Sequence, residues 1–148
     1  MRSAASSQRH DVPLSPYDYP QRGPGRVLVV DDDAPLRVLI SHQLELAGFE
    51  VVSAADGPAA LDVLRADASI RLVLLDLMMP GMDGWCVRRA HLDDPALARV
   101  PTVILTGAPL ASLEHDELKA ADYLLKPVGR EHLISVVSNY CEPTAHAA

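Results

Sequence analysis

The chain is predicted to be an α/β protein built on a doubly wound, five-stranded parallel sheet. Two observations carry this. Three short segments, "RVLVVD" (26–31), "LVLLD" (72–76) and "TVILT" (102–106), are apolar almost without interruption. Such strands are buried on both faces, and a parallel sheet covered by helices does that. Stretches of helical period separate these strands, a fourth buried strand and one weaker strand, giving a (βα)5 alternation. Right-handed crossovers then place helices on both faces.

The elements follow in order. After the first strand, "PLRVLISHQLELAG" places Leu36, Leu39, Ile40 and Leu44 on one helical face. Pro35 suits its first turn and Gly48 the position past its end. "EVVSA" (50–54) is a weaker strand, and "PAALDVLRA" (58–66) a helix with Leu61 and Leu64 inward. After "LVLLD", the stretch "GWCVRRAHL" (84–92) is helical, with Arg88 and Arg89 read as a solvated face and Trp85 as packing. Asp83 is placed to cap that helix. "TVILT" is followed by a short, weakly amphipathic helix, "LASLEHDELKA" (110–120), and then by the strand "DYLLK" (122–126). "REHLISVVSNY" (130–140) closes the series, with Leu133, Val136, Val137 and Tyr140 on one face.

This is one domain, expected over residues 26–140. Residues 1–25 hold Pro13, Pro16, Pro20 and Pro24 with no apolar period, and read as a disordered arm. Residues 141–148 read as a frayed tail. The 148 residues carry 20 acidic and 13 basic side chains, a net charge of −7. That balance argues against wrapping nucleic-acid backbone and against an anionic membrane surface. No apolar run approaches a membrane span. The N-terminal "MRSAASSQRHDVPLS" lacks the apolar stretch of a secretory signal. Cys86 and Cys141 fit no metal or disulfide pattern and are read as reduced, packing thiols of a cytoplasmic protein. His10, His42, His91, His115, His132 and His146 are scattered without ligand spacing, and are read as surface or helix residues.

Ligands of open parallel sheets bind beyond the carboxyl ends of the strands. The first strand ends in Asp31, Asp32 and Asp33, the third in Asp76, the fourth in Thr106 and the last in Lys126. Clustered carboxylates raise one another's pKa, and a hard divalent cation removes that conflict. Mg²⁺ suits one or two carboxylates and phosphate oxygens. Lys126 offers a compact positive charge, Thr106 a donor to a phosphoryl oxygen, and an aspartate can be the nucleophile of an acyl phosphate. For any one of these residues a solvated acidic edge is the simpler reading. For the set, drawn from four separate places, phosphoryl chemistry is the better one.

With those residues in place, the sequence resembles a response-regulator receiver domain of two-component signalling. The matching stretches are "VLVVDDD", "LVLLDLMMPGMDG", "DDPALARVPTVILTG" and "ADYLLKPV", in order across residues 26–140. The resemblance implies the flavodoxin-like strand order 2-1-3-4-5. It implies that Asp76 is the phospho-acceptor, taking a phosphoryl group from a histidine kinase or phosphotransfer protein. Asp32 matches the direct Mg²⁺ ligand, Asp31 the neighbour that holds a metal-bound water, and Met78 the residue whose backbone carbonyl completes the set. Thr106 matches the hydroxyl that follows the phosphoryl group, Lys126 the lysine beside it with a cis bond to Pro127, and Tyr123 the aromatic coupled to Thr106. Pro80, Gly81 and Gly84 shape the adjoining turn, Gly84 by letting the chain pass closely.

There are departures from the family pattern. The stretch between Thr106 and Tyr123 is shorter than usual, so the fourth helix is expected to be short or displaced, and the family's shared dimer geometry is in doubt. Val128 stands where an aromatic often follows the Lys–Pro pair. Met78 and Ala108 occupy positions that tune dephosphorylation; neither side chain can position a water, so slow self-hydrolysis is expected. The expected function is that of a stand-alone phosphorylation switch, with no output domain after residue 140, acting by protein contact and not by DNA binding. The alternative is a receiver-like interaction module that is never phosphorylated. A Mg²⁺-dependent phosphatase ranks last, because Met78 stands where such enzymes carry a second acid.

Overall fold

A computed structural model describes residues 23–79, 81, 83–107 and 118–143. Its elements are β1 (Gly23–Pro24), β2 (Arg26–Val30), α1 (Ala34–Leu46), β3 (Glu50–Ala54), α2 (Gly57–Ala66), β4 (Ile70–Asp76), α3 (Gly84–Asp93), β5 (Thr102–Thr106), β6 (Asp122–Leu125), α4 (Arg130–Ser138) and β7 (Cys141–Glu142). Five strands form one parallel sheet in the order β3-β2-β4-β5-β6. Counted from β2, that is the order 2-1-3-4-5. Four helices accompany the sheet among the described residues. The helix expected over 110–120 lies almost wholly outside them.

Strand alternation sorts the core into two layers. Val27, Val29, Leu72, Leu74, Val103 and Leu105 meet Ile40 and Leu44 of α1 and Leu133, Val136 and Val137 of α4. Leu28, Val30, Val73, Leu75 and Ile104 meet Ala60, Leu61 and Leu64 of α2 and Val87 of α3. The sheet is therefore covered on both sides, as its uninterrupted apolar strands require.

Helix starts follow local chemistry. Asp33, Asp56 and Asp83 accept from the backbone N–H of Leu36, Ala59 and Cys86 respectively. Gly48, just past α1, has φ of 95°, a conformation glycine adopts without strain. Leu39 departs from its expected inward place: it is 51% exposed, because the core-facing stripe of α1 runs through Ile40 and Leu44. The last helix stops at Ser138, and Tyr140 follows it.

A second, two-stranded parallel sheet joins β1 to β7. It lies at residues assigned from the sequence to the arm and the tail. Cys141 is buried in the core layer of α1 and α4, and its thiol lies 3.5 Å from the Gly25 carbonyl. Cys86 is also a free thiol, partly buried on α3. No helix among the described residues is long and apolar enough to cross a membrane.

Candidate phosphoryl site

The carboxyl ends of β2, β4, β5 and β6 bring the candidate residues to one edge. Asp31 follows β2 directly and is fully buried; Asp76 ends β4 and is 3% exposed. Asp32 is exposed. Each of these three acids offers an oxygen, and the three oxygens lie within 4.8 Å of one another. Asp33 does not join them. Its side chain caps α1, while its backbone N–H donates to Asp31 Oδ1 at 2.9 Å.

Lys126 spans the two buried acids. Its Nζ lies 3.2 Å from Asp31 Oδ2 and 3.2 Å from Asp76 Oδ1. Three forces meet at Asp76. Burial and the Asp31 charge push its pKa up, and Lys126 opposes them without cancelling them, so the net direction is upward. Burial disfavours the Lys126 ammonium, but Asp76 and Asp31 outweigh it and hold its pKa above the ordinary value. The site thus keeps an excess of negative charge even with Lys126 in place. Three hard oxygen donors in that state fit a small divalent cation such as Mg²⁺.

The surrounding backbone is shaped for this edge. Met78, 73% exposed, donates its N–H to Asp76 Oδ1 at 3.3 Å. A Cβ on Gly84 would stand 2.4 Å from the Asp76 carbonyl oxygen and 2.5 Å from Leu77 Cα, so only glycine allows this approach. Gly81 turns at φ of 75°. Pro80 and Ala108 lie outside the described residues. Thr106 is fully buried at the end of β5, and its carbonyl accepts from the Lys126 N–H at 2.7 Å. Tyr123 is paired in register with Ile104, and Leu125 with Thr106. Tyr123 and Thr106 therefore lie on the same sheet face, one alternation apart. Burial raises the Tyr123 pKa. The Lys126–Pro127 peptide is cis.

Two groups escaped the sequence reading. Arg37 donates to the Asp31 carbonyl at 2.7 Å, tying α1 to the acidic edge. Arg88 and His91 are each 1% exposed, not part of a solvated face. The signal was available: with Gly84 and Val87 inward, the helical period carries positions 88 and 91 inward too. Their polarity hid it. Trp85 does pack, as expected, against the core layer of α2 and α3.

The model of the response regulator receiver domain family matches residues 27–138. The response regulator PleD of Caulobacter vibrioides is 41% identical over 109 residues, covering 70% of this chain and 23% of PleD. The transcriptional regulatory protein CpxR of Escherichia coli is 40% identical over 116 residues, covering 74% of this chain and 46% of CpxR. The chain therefore spans less than half of either relative. Among solved structures, chemotaxis protein CheY4 of Vibrio cholerae superposes with a TM-score of 0.71 at 32% identity, covering 78% of this chain and 97% of that one. A CheY-like receiver domain protein from Methanospirillum hungatei gives 0.66 at 40% identity, covering 77% and 90%. A flavodoxin-like sheet whose carboxyl edge gathers three aspartates and a lysine defines a receiver-like class of α/β protein. This chain belongs to the response regulator receiver domain family of two-component signalling.

Proposed function

We propose that the chain is a phospho-acceptor response regulator in which Asp76 takes a phosphoryl group from a phosphohistidine. The observation that carries this reading is the gathering of Asp31, Asp32 and Asp76, with Lys126 bridging the two buried acids. One oxygen of Asp76 attacks phosphorus, the phosphorus–nitrogen bond of the donor breaks, and the imidazole leaves with that electron pair. Lys126 neutralises charge on the phosphoryl group and holds Asp31 in place. The Thr106 hydroxyl donates to a phosphoryl oxygen. Asp31, Asp32, Asp76 and the Met78 carbonyl would hold Mg²⁺, which supplies charge neutralisation and alignment of phosphate oxygens.

The donor is a sensor histidine kinase or a phosphotransfer protein. Val38 and Leu39 on α1 and Met78 beside Asp76 are large exposed apolar side chains. A partner that must bring its histidine to Asp76 can bury them. The chain turns over no substrate; it works in the cytoplasm as a switch, read through protein contact. Phosphorylation biases a two-state arrangement at Thr106 and Tyr123. Dephosphorylation is slow, since the exposed Met78 thioether cannot orient a water. An acyl phosphate lost within seconds in Mg²⁺ would contradict that.

The test is intact-protein mass after incubation with acetyl phosphate. One added phosphoryl group is expected in Mg²⁺, absent from Asp76→Ala and absent without the metal. No adduct, together with no binding of beryllofluoride, would make the chain a constitutive interaction module.

A further inference from the structure

Helix α3 buries a cation that the phosphoryl site does not use. Arg88 Nε donates to the Leu118 carbonyl at 2.6 Å, and Nη2 to the Lys119 carbonyl at 2.7 Å. Nη1 donates to Thr102 Oγ1 at 3.0 Å and lies 3.0 Å from His91 Nδ1. The imidazole is oriented in turn: Nε2 carries the hydrogen and donates it to the Leu97 carbonyl at 2.6 Å. Nδ1 is left bare to accept from Arg88. Burial and the adjacent guanidinium keep the ring neutral, with its pKa lowered to about 4.

Two features make this more than a filled core. The first is backbone strain. Lys119 has φ of 47°, and is a non-glycine residue in the left-handed region. Such a residue persists where its surroundings over-determine it. Arg88 grips the carbonyl on that residue and the one before it. The second is position. Leu118 to Ala121 lead into β6, which carries Tyr123 and ends beside Lys126. Helix α3 begins at Gly84, against the Asp76 carbonyl. The guanidinium joins the helix behind the acceptor to the lead-in of the strand that carries Tyr123.

We propose that Arg88 is a positioning residue whose clamp on the Leu118 and Lys119 carbonyls holds the lead-in of β6 where it lies against α3, so that a modification of Asp76 that shifts this strand works against the clamp. The proposal rests on the acceptor reading of Asp76. A switch that must break a clamp binds its activating group less tightly than one already released, because ligand affinity and conformational equilibrium are linked.

The test uses the full chain with beryllofluoride in Mg²⁺, titrated by calorimetry. Arg88→Met removes the cation at similar volume, and Thr102→Val loosens the guanidinium while leaving both carbonyl bonds. Val87→Ala disturbs the same helix without touching the clamp. Arg88→Met is expected to bind about fivefold tighter than wild type, and Thr102→Val to shift the same way by less. Arg88→Lys keeps the charge but replaces the planar fork by a single ammonium, and is expected to tighten binding less than Arg88→Met. If Arg88→Met does not fold, Thr102→Val decides by the same reading. Unchanged or weaker binding in these variants, or equal tightening in Val87→Ala, overturns the clamp. Failure of wild type itself to bind overturns the acceptor reading instead, and is read from a different sample.

Discussion

At the scale of single residues, the site is under electrostatic tension that its own side chains relieve only in part. Asp76 is pushed toward its neutral form by burial and Asp31, against the pull of Lys126. A group whose folded pKa is raised disfavours the fold while it is charged. Asp76→Asn, neutral and of the same shape, should therefore melt at a higher temperature than wild type in the absence of divalent cations, as followed by circular dichroism. A lower midpoint would mean that the Lys126 pairing outweighs burial and repulsion. His91 gives the opposite dependence. Its folded pKa of about 4 lies below the ordinary 6.5. The stability that its neutral form contributes is complete above pH 6.5 and is lost as the pH falls toward 4, about 3 kcal/mol across that window. His91→Gln should lose that part of the slope, measured by urea unfolding at pH 7 and pH 5.

At the scale of elements, α3 is the piece on which both the site and its neighbourhood depend. Its start is held by the Asp83 cap and by the close approach of Gly84 to the end of β4. The atoms that a Cβ at position 84 would meet are backbone, which cannot swing aside. Gly84→Ala should cost about 1–3 kcal/mol in urea unfolding, and should slow phosphorylation by acetyl phosphate because the Asp76 backbone has to shift. Wild-type stability in that variant would show that the turn yields easily. The same helix shows how far periodicity can be trusted. The period that turns Val87 inward carries Arg88 inward with it, yet reading Arg88 by its charge puts it in solvent. The structure follows the period and satisfies the charge with carbonyls, a hydroxyl and an imidazole. Leu39 errs the other way, an apolar residue read as core that lies exposed at the edge of the stripe of α1.

At the scale of the whole molecule, the two ends of the described chain meet. β1 and β7 pair in register, Gly23 with Cys141 and Pro24 with Glu142, and Arg71 Nε donates to the Pro24 carbonyl. Cys141 is fully buried. A chain cut after Tyr140 should be less stable than one cut after Pro143, with phosphorylation by acetyl phosphate retained in both. Equal stability would assign the pair no structural role. The sequence could not supply this pairing. Two-residue strands carry no periodicity, and their partner stands at the other end of the chain.

What the sequence determined by itself is the alternation of strands and helices, the parallel sheet, and the set of residues at its carboxyl edge. Strand burial is written in uninterrupted apolar runs, and the residue after each run must emerge at the strand tip. Asp31, Asp76, Thr106 and Lys126 were legible for that reason. What only the tertiary structure decided is which tips touch. Lys126 is shared between Asp31 and Asp76, Asp33 is withdrawn to cap α1, and Arg88 turns inward to carbonyls some thirty positions along the chain. Period and propensity are local properties of a chain. The partner of a buried charge is set by which distant backbone arrives beside it, and that is decided when the layers close.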